Sequence, residues 1–144
     1  MKVERTGSTL PYGCDQVFDL LADIERYPEF LGGWISARIL RREADTLYVE
    51  QTVGLGALRL AFASTAVLNR PVRIEIRSMD RLFRRYALTW HLQPTDSGCR
   101  IAVTAEIELA SRLLQLGLER FLGSSVDDTL RAFEARAYAL YRPG

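Results

Sequence analysis

Between Cys14 and Ile24 the apolar positions fall three and four apart: Val17, Leu20, Leu21 and Ile24 share one side, while Asp15, Gln16, Asp19 and Asp23 take the other. That spacing predicts an amphipathic helix. Pro11 and Gly13 precede it, and Pro28 biases Tyr27 away from helical geometry, so Tyr27 to Leu31 predicts a short second helical turn that Gly32 and Gly33 end. From Trp34 to Leu109 the period changes to two, with β-branched and aromatic residues enriched, which predicts antiparallel sheet. The clearest strand is the last, where Ile101, Val103, Ala105, Ile107 and Leu109 face one way and Ala102, Thr104, Glu106 and Glu108 the other. Similar alternation groups Tyr86, Leu88, Trp90 and Leu92, then Val72, Ile74 and Ile76, then Leu58, Leu60 and Phe62. Turns are expected at Gly54-Leu55-Gly56, at Asn69-Arg70-Pro71 and from Pro94 to Gly98. With a short strand at the amino terminus, about seven strands are expected.

Ser111 to Tyr141 returns to the helical period, with Leu118, Leu122, Val126, Leu130, Phe133, Ala137 and Leu140 forming one stripe. Gly123 followed by Ser124, Ser125, Asp127 and Asp128 resembles a capping signal inside that stripe and predicts a kink rather than two separate helices. Strand, two short helices, a run of hairpin-connected strands and one long terminal helix define an α+β fold in a single domain over residues 1–144, a curved antiparallel sheet gripping the last helix. Its concave side can enclose a cavity. At the start of the last helix Leu113, Leu114, Leu116, Leu118, Phe121 and Leu122 cover more than one face, which suits a lid; for any single one of them, core packing or a dimer seam is the simpler reading. An empty apolar cavity of roughly 400 Å³ would cost on the order of 10 kcal/mol, rivalling the stability of a whole domain. The cavity should therefore be shallow, filled by packing, or occupied by an apolar ligand.

Composition narrows the functional classes. Nineteen Lys and Arg against 18 Asp and Glu leave a net charge of +1, so no general field draws the protein to nucleic acid or anionic lipid, and DNA is not an expected partner. Hydrophobic residues are 48% of the chain, yet charges interrupt every stretch before the roughly 18 apolar residues of a membrane span. Cys14 and Cys99 have no metal-type spacing, so a reducing cytoplasm is the simplest expected setting, with Cys14 an inert thiol and no metal site. His91 is the only histidine and should point outward beside the inward Trp90, which leaves Ser64 and Ser78 without a base. Asp23, Glu25 and Glu29 around Arg26 read as a solvated helix end. Arg81, Arg84 and Arg85, with Arg41 and Arg42, read chiefly as ordinary surface charge, a functional patch being the minor reading. No catalytic residues are assigned.

Val17-Phe18-Asp19-Leu20, Asp23-Ile24-Glu25-Arg26-Tyr27-Pro28-Glu29-Phe30-Leu31 and Ala37-Arg38-Ile39-Leu40 resemble, in order and spacing, the opening of the ubiquinone-binding protein family of the START-like, polyketide cyclase and lipid transport superfamily. Trp90, Ser111-Arg112-Leu113-Leu114 and Ala132-Phe133-Glu134-Ala135-Arg136-Ala137 are similar to its closing motifs. Gly32-Gly33-Trp34 stands where that family usually has Pro-Trp-Cys, and Arg81-Leu82-Phe83 where it commonly has Gly-Pro-Phe, so the pocket mouth and one hairpin depart from the pattern. The resemblance implies a helix-grip fold with an apolar tunnel beneath the last helix, and a non-catalytic carrier of ubiquinone or a related isoprenoid quinone, with no other cofactor required. Facing and resemblance together nominate Phe18, Phe30, Trp34, Phe62, Tyr86, Trp90, Leu116, Phe121 and Phe133 as lining residues, with Trp34, Tyr86 and Trp90 suited to stack on or hydrogen-bond a quinone head. The family's ribosome association toxins imply an alternative partner, the ribosome, and a polyketide cyclase or dehydratase is the second alternative. The expected protein is cytoplasmic, with access to the inner membrane surface, and a monomer or weak dimer.

Overall fold

The structure, a computed structural model, describes residues 1–55 and 57–141. Its elements in chain order are β1 (Lys2–Leu10), α1 (Cys14–Ala22), a 3₁₀ helix (Ile24–Glu29), β2 (Trp34–Glu43), β3 (Thr46–Leu55), β4 (Leu58–Asn69), β5 (Arg73–Arg77), β6 (Phe83–Thr95), β7 (Gly98–Leu109) and α2 (Arg112–Leu140). The strands form one seven-stranded antiparallel sheet in the order β1-β7-β6-β5-β4-β3-β2, a continuous meander from β2 to β7 with β1 added beside β7. Alternation along β7 has the predicted sense: Ile101, Val103, Ala105, Ile107 and Leu109 are buried. Register then carries the inward face across the sheet, setting Trp90 opposite Val103 and Ile74 opposite Trp90. Val72 departs from its expected group, since it precedes β5 and is exposed. The last hairpin is tighter than expected. Pro94 and Thr95 still pair with Cys99 and Gly98. Gly98 has a φ of +153°, and a Cβ there would stand 1.8 Å from the Leu10 carbonyl oxygen, so the close approach of β1 requires glycine. Gly56, from the expected β3–β4 turn, lies outside the described residues.

The long helix fills the concave side. Ser111 caps it by accepting from the Leu114 N–H at 3.3 Å, and Leu118, Leu122, Val126, Leu130, Phe133 and Ala137 are buried against the sheet. At Gly123 the capping signal does not restart the helix, which runs unbroken through it, and Ser124 Oγ donates back to the Phe121 carbonyl at 3.1 Å instead of capping a new turn. Arg136 pairs with Glu29 at 3.0 Å, and Glu134 accepts from the Ser8 N–H at 2.8 Å, tying the carboxyl-terminal half of α2 to the 3₁₀ helix and to β1.

The cysteines correct the sequence reading. Cys14 is no inert lone thiol: it forms a disulfide with Cys99, across a Cα–Cα distance of 5.1 Å and 85 residues of sequence. The pairing follows from the sheet. Leu10 lies opposite Cys99, and Tyr12 and Gly13 then deliver the start of α1 to the same corner.

Candidate functional site

Between α2 and the concave sheet lies an apolar cavity of about 120 Å³. Its floor comes from alternate residues of adjacent strands: Leu60 and Phe62 of β4, Tyr86, Leu88 and Trp90 of β6, Val103 and Ile107 of β7. Leu118, Leu122, Val126 and Phe133 of α2 form the roof, and Tyr27, Leu31, Gly33 and Trp34 close one side. At about 24 cal/mol per Å³, a void of this size costs roughly 3 kcal/mol when empty, which a domain can sustain.

Five of the nine nominated residues line this space: Trp34, Phe62, Tyr86, Trp90 and Phe133. Phe121 stands at its outer edge, where a second, more polar hollow of about 260 Å³ is bounded by Gly32, Phe121, Ser124 and Asp128 and shares Leu31, Gly33, Gly54, Ser125 and Thr129 with the cavity wall. The other three are corrections. Phe18 is fully buried outside the cavity, with the Arg70 guanidinium 4.6 Å above its ring. Phe30 backs onto Phe133 from outside, at 5.3 Å between ring centroids, with Arg136 stacked 5.0 Å away on it. Leu116 is 65% exposed, because its position on α2 points away from the sheet. Sequence reasoning passed over Tyr27, whose neighbour Pro28 marked only a corner, and over Val103, Ile107 and Val126, which periodicity had already faced inward as core; Leu118 and Leu122 it had placed in the lid without nominating them as lining residues.

Polar groups at the wall are few. Tyr27 donates its hydroxyl to the Leu21 carbonyl, and its ring meets Trp34 and Phe133 edge-on at 5.0 and 5.3 Å. Burial pushes the Tyr27 and Tyr86 phenols far above their ordinary value, for Tyr27 with smaller contributions from Tyr86 and Asp23, so both remain neutral donors. Tyr86 packs on Phe62 and Phe83 at 5.1 and 4.8 Å, and its hydroxyl has no hydrogen-bond partner among the described residues. Trp90 is 3% exposed, and its indole Nε1–H has no acceptor among the described residues. A buried donor left unpaired costs about 1–3 kcal/mol. At the mouth, the Gly54 N–H donates to the Gly33 carbonyl at 2.7 Å, and a Cβ on Gly33 would approach the Gly54 carbonyl to 3.1 Å, so the bare glycine lets the two backbones meet. His91 is exposed on the outer face, away from this space.

A curved antiparallel sheet closed over an apolar space by one long helix defines a START-like, helix-grip domain. The chain belongs to the polyketide cyclase / dehydrase and lipid transport family, which matches residues 10–134. It is 24% identical over 98% of its length to the ribosome association toxin RatA of Vibrio cholerae, of which it covers 99%. It is 28% identical over 92% of its length to the mitochondrial coenzyme Q-binding protein COQ10 of Dictyostelium discoideum, of which it covers 67%. Among solved structures it is similar to the Zhui aromatase/cyclase of Streptomyces sp. R1128, with a TM-score of 0.87, 17% identity, and coverage of 100% of this chain and 98% of that one. The family thus holds both cyclases and lipid carriers.

Proposed function

We propose that the protein is a non-catalytic carrier of an isoprenoid quinone, ubiquinone or a close relative, serving respiratory or quinone-biosynthetic proteins. The observation that carries this reading is the unpaired N–H of Trp90, a residue of the largely apolar wall. A quinone offers a carbonyl oxygen to such a donor, with Tyr86 as a second neutral donor, and an isoprene tail to the apolar lining. The cavity at rest has room for little more than part of a head group. Entry therefore displaces side chains at the edge, where Leu31, Ser125 and Thr129 border both the cavity and the outer hollow and Phe121 lines the hollow beyond them, and the tail leaves past Gly33. The name of the Dictyostelium relative supports the same class of ligand. A cyclase role would call for groups that exchange protons near neutral pH, and the phenols of Tyr27 and Tyr86 are shifted away from that range. The ribosome, suggested by the name of the Vibrio relative, is the second reading and leaves the cavity idle.

The test is organic extraction of purified protein with mass spectrometry, on the wild type and on Trp90→Phe, which keeps an aromatic ring and removes the donor. Stoichiometric quinone in the wild type and about tenfold weaker retention in the folded variant are expected, since a hydrogen bond is worth about 1.4 kcal/mol here. A wild-type protein that carries no quinone and takes up none when it is added would overturn the reading.

A further inference from the structure

The rim of the cavity on the side of the first turns of α2 gathers two features that the ligand site does not use. The first is a set of protruding apolar side chains: Met79 in the β5–β6 loop is 98% exposed, and Leu113, Leu116 and Phe121 on α2 are 78%, 65% and 39% exposed. The spacing of Leu113, Leu116 and Arg120 at three and four puts them on the outward face of the helix, with Phe121 on its flank. The second is a set of arginines without carboxylate partners. Arg59, Arg81, Arg84, Arg112 and Arg120 make no ion pair among the described residues, and neither do Arg42 on β2, Arg77 on β5 and Arg100 on β7, whereas Arg5, Arg26, Arg38, Arg41, Arg70, Arg73, Arg85, Arg131 and Arg136 all do, so it is the grouping of the first five, not the lack of a partner alone, that marks the rim. Backbone and packing contacts bring these segments together. Ala110 donates to the Leu82 carbonyl at 2.9 Å beside the start of α2, Ala63 of β4 donates to Asp80 at 3.4 Å, and Leu58, next to Arg59, lies 3.3 Å from where a Gly117 Cβ would stand. Arg41 and Arg42 lie four strands away in the sheet order, so the five arginines named in the sequence do not form one patch.

We infer that this rim docks on an anionic lipid bilayer, with Met79, Leu113 and Leu116 entering the interface and the unpaired arginines meeting lipid phosphates. Among the acidic residues nearby, Asp80 accepts from the Leu82 N–H at 3.0 Å and Glu119 from Gln115 at 3.3 Å; both keep their negative charge, and with Glu108 they offset three of the five arginine charges, leaving the rim positive. A nucleic-acid surface would reward the arginines and gain nothing from exposed leucines and a methionine, whereas a bilayer interface rewards both. The overall charge of +1 gives no long-range attraction, so binding needs both the apolar contact and the local charge. The inference goes beyond the ligand reading and stands whether or not the cavity is loaded.

The experiment is flotation of the disulfide-intact protein with vesicles of phosphatidylcholine alone and of phosphatidylcholine mixed with phosphatidylglycerol. Wild type should float with the mixed vesicles and stay behind with phosphatidylcholine. Replacing Arg112→Gln with Arg120→Gln should weaken binding roughly fivefold per charge, and Leu113→Gln with Leu116→Gln should weaken it by at least as much. Arg38→Gln with Arg42→Gln, on the edge strand β2, should change nothing. The inference is overturned if the protein ignores the mixed vesicles, if the β2 pair matters as much as the rim pair, or if the arginine variants lose binding to ribosomes while the leucine variants and the vesicles make no difference. A protein that floats yet yields no quinone on extraction would sink the ligand reading and leave this one standing.

Discussion

Along the carboxyl-terminal half of α2, Leu130, Phe133 and Ala137 are sealed into the core, and Phe133 alone meets Tyr27, Phe30 and Trp90 at ring distances of 5.1 to 5.3 Å. Along the amino-terminal half the inward stripe continues through Leu118, Leu122 and Val126, but these residues roof an unfilled space, and Leu113 and Leu116 on the other side of the helix reach into solvent. The carboxyl-terminal half is tied down by Glu29 and Ser8 and stands near the Cys14–Cys99 corner, where the Tyr141 hydroxyl donates to the Gln16 carbonyl at 3.0 Å. One helix is thus divided into an anchor and a roof, with Phe133 at their junction, packed into the aromatic cluster and also lining the cavity. Tight packing gives stability; its deliberate omission over the cavity leaves room for a ligand at a cost the anchor can offset.

The sharpest way to break this division is at the anchor. Phe133→Ala should destabilise the fold by about 3–5 kcal/mol in denaturant titrations, because it empties the centre of the aromatic cluster. A loss under about 1 kcal/mol would mean the two halves are packed alike. Reducing the disulfide, or Cys14→Ala, should cost about 2–4 kcal/mol, read as a lower melting temperature with reductant, since the bond closes 85 residues. No difference between oxidised and reduced protein would remove the corner from the anchor.

The two tyrosines of the cavity wall divide in the same way. Their phenols are held above the ordinary 10, so the folded state keeps protons that the unfolded chain releases; stability is full below about pH 10 and falls as the pH rises beyond it. Tyr27→Phe leaves the buried Leu21 carbonyl without its donor and should cost about 1–2 kcal/mol at neutral pH, while Tyr86→Phe should cost less than about 0.5 kcal/mol there and still reduce the alkaline loss. Equal costs at neutral pH would show that Tyr86 has a partner after all. At the small end, Leu113→Ala with Leu116→Ala should shift stability by less than about 0.5 kcal/mol, because neither side chain is covered.

Much of this division is legible in the sequence, and the limits have physical causes. Alternation in β7 and the stripe of α2 are readable because one side of each is wet and the other dry. Trp34, Phe62, Tyr86, Trp90 and Phe133 fall on the cavity because inward and aromatic positions there coincide. Phe18 and Phe30 satisfy the same criteria and miss it, since a period separates inside from outside but does not say which part of the interior a residue faces. Leu116 is apolar yet uncovered, and residue type alone carries no sign of that. The disulfide joins residues whose nearness comes from the β1–β7 register, which no local spacing encodes.

The most direct test of a ligand-binding roof is quenching of tryptophan fluorescence by a short-chain ubiquinone, with wild type compared with Val126→Phe. Trp34 and Trp90 both stand on the wall, and the larger side chain at Val126 would fill the space between them and the helix. Saturable quenching near one equivalent in the wild type, lost in a variant that melts no lower than the wild type, is the result predicted. Quenching that never saturates, or that Val126→Phe leaves untouched, would contradict the cavity as the site of binding.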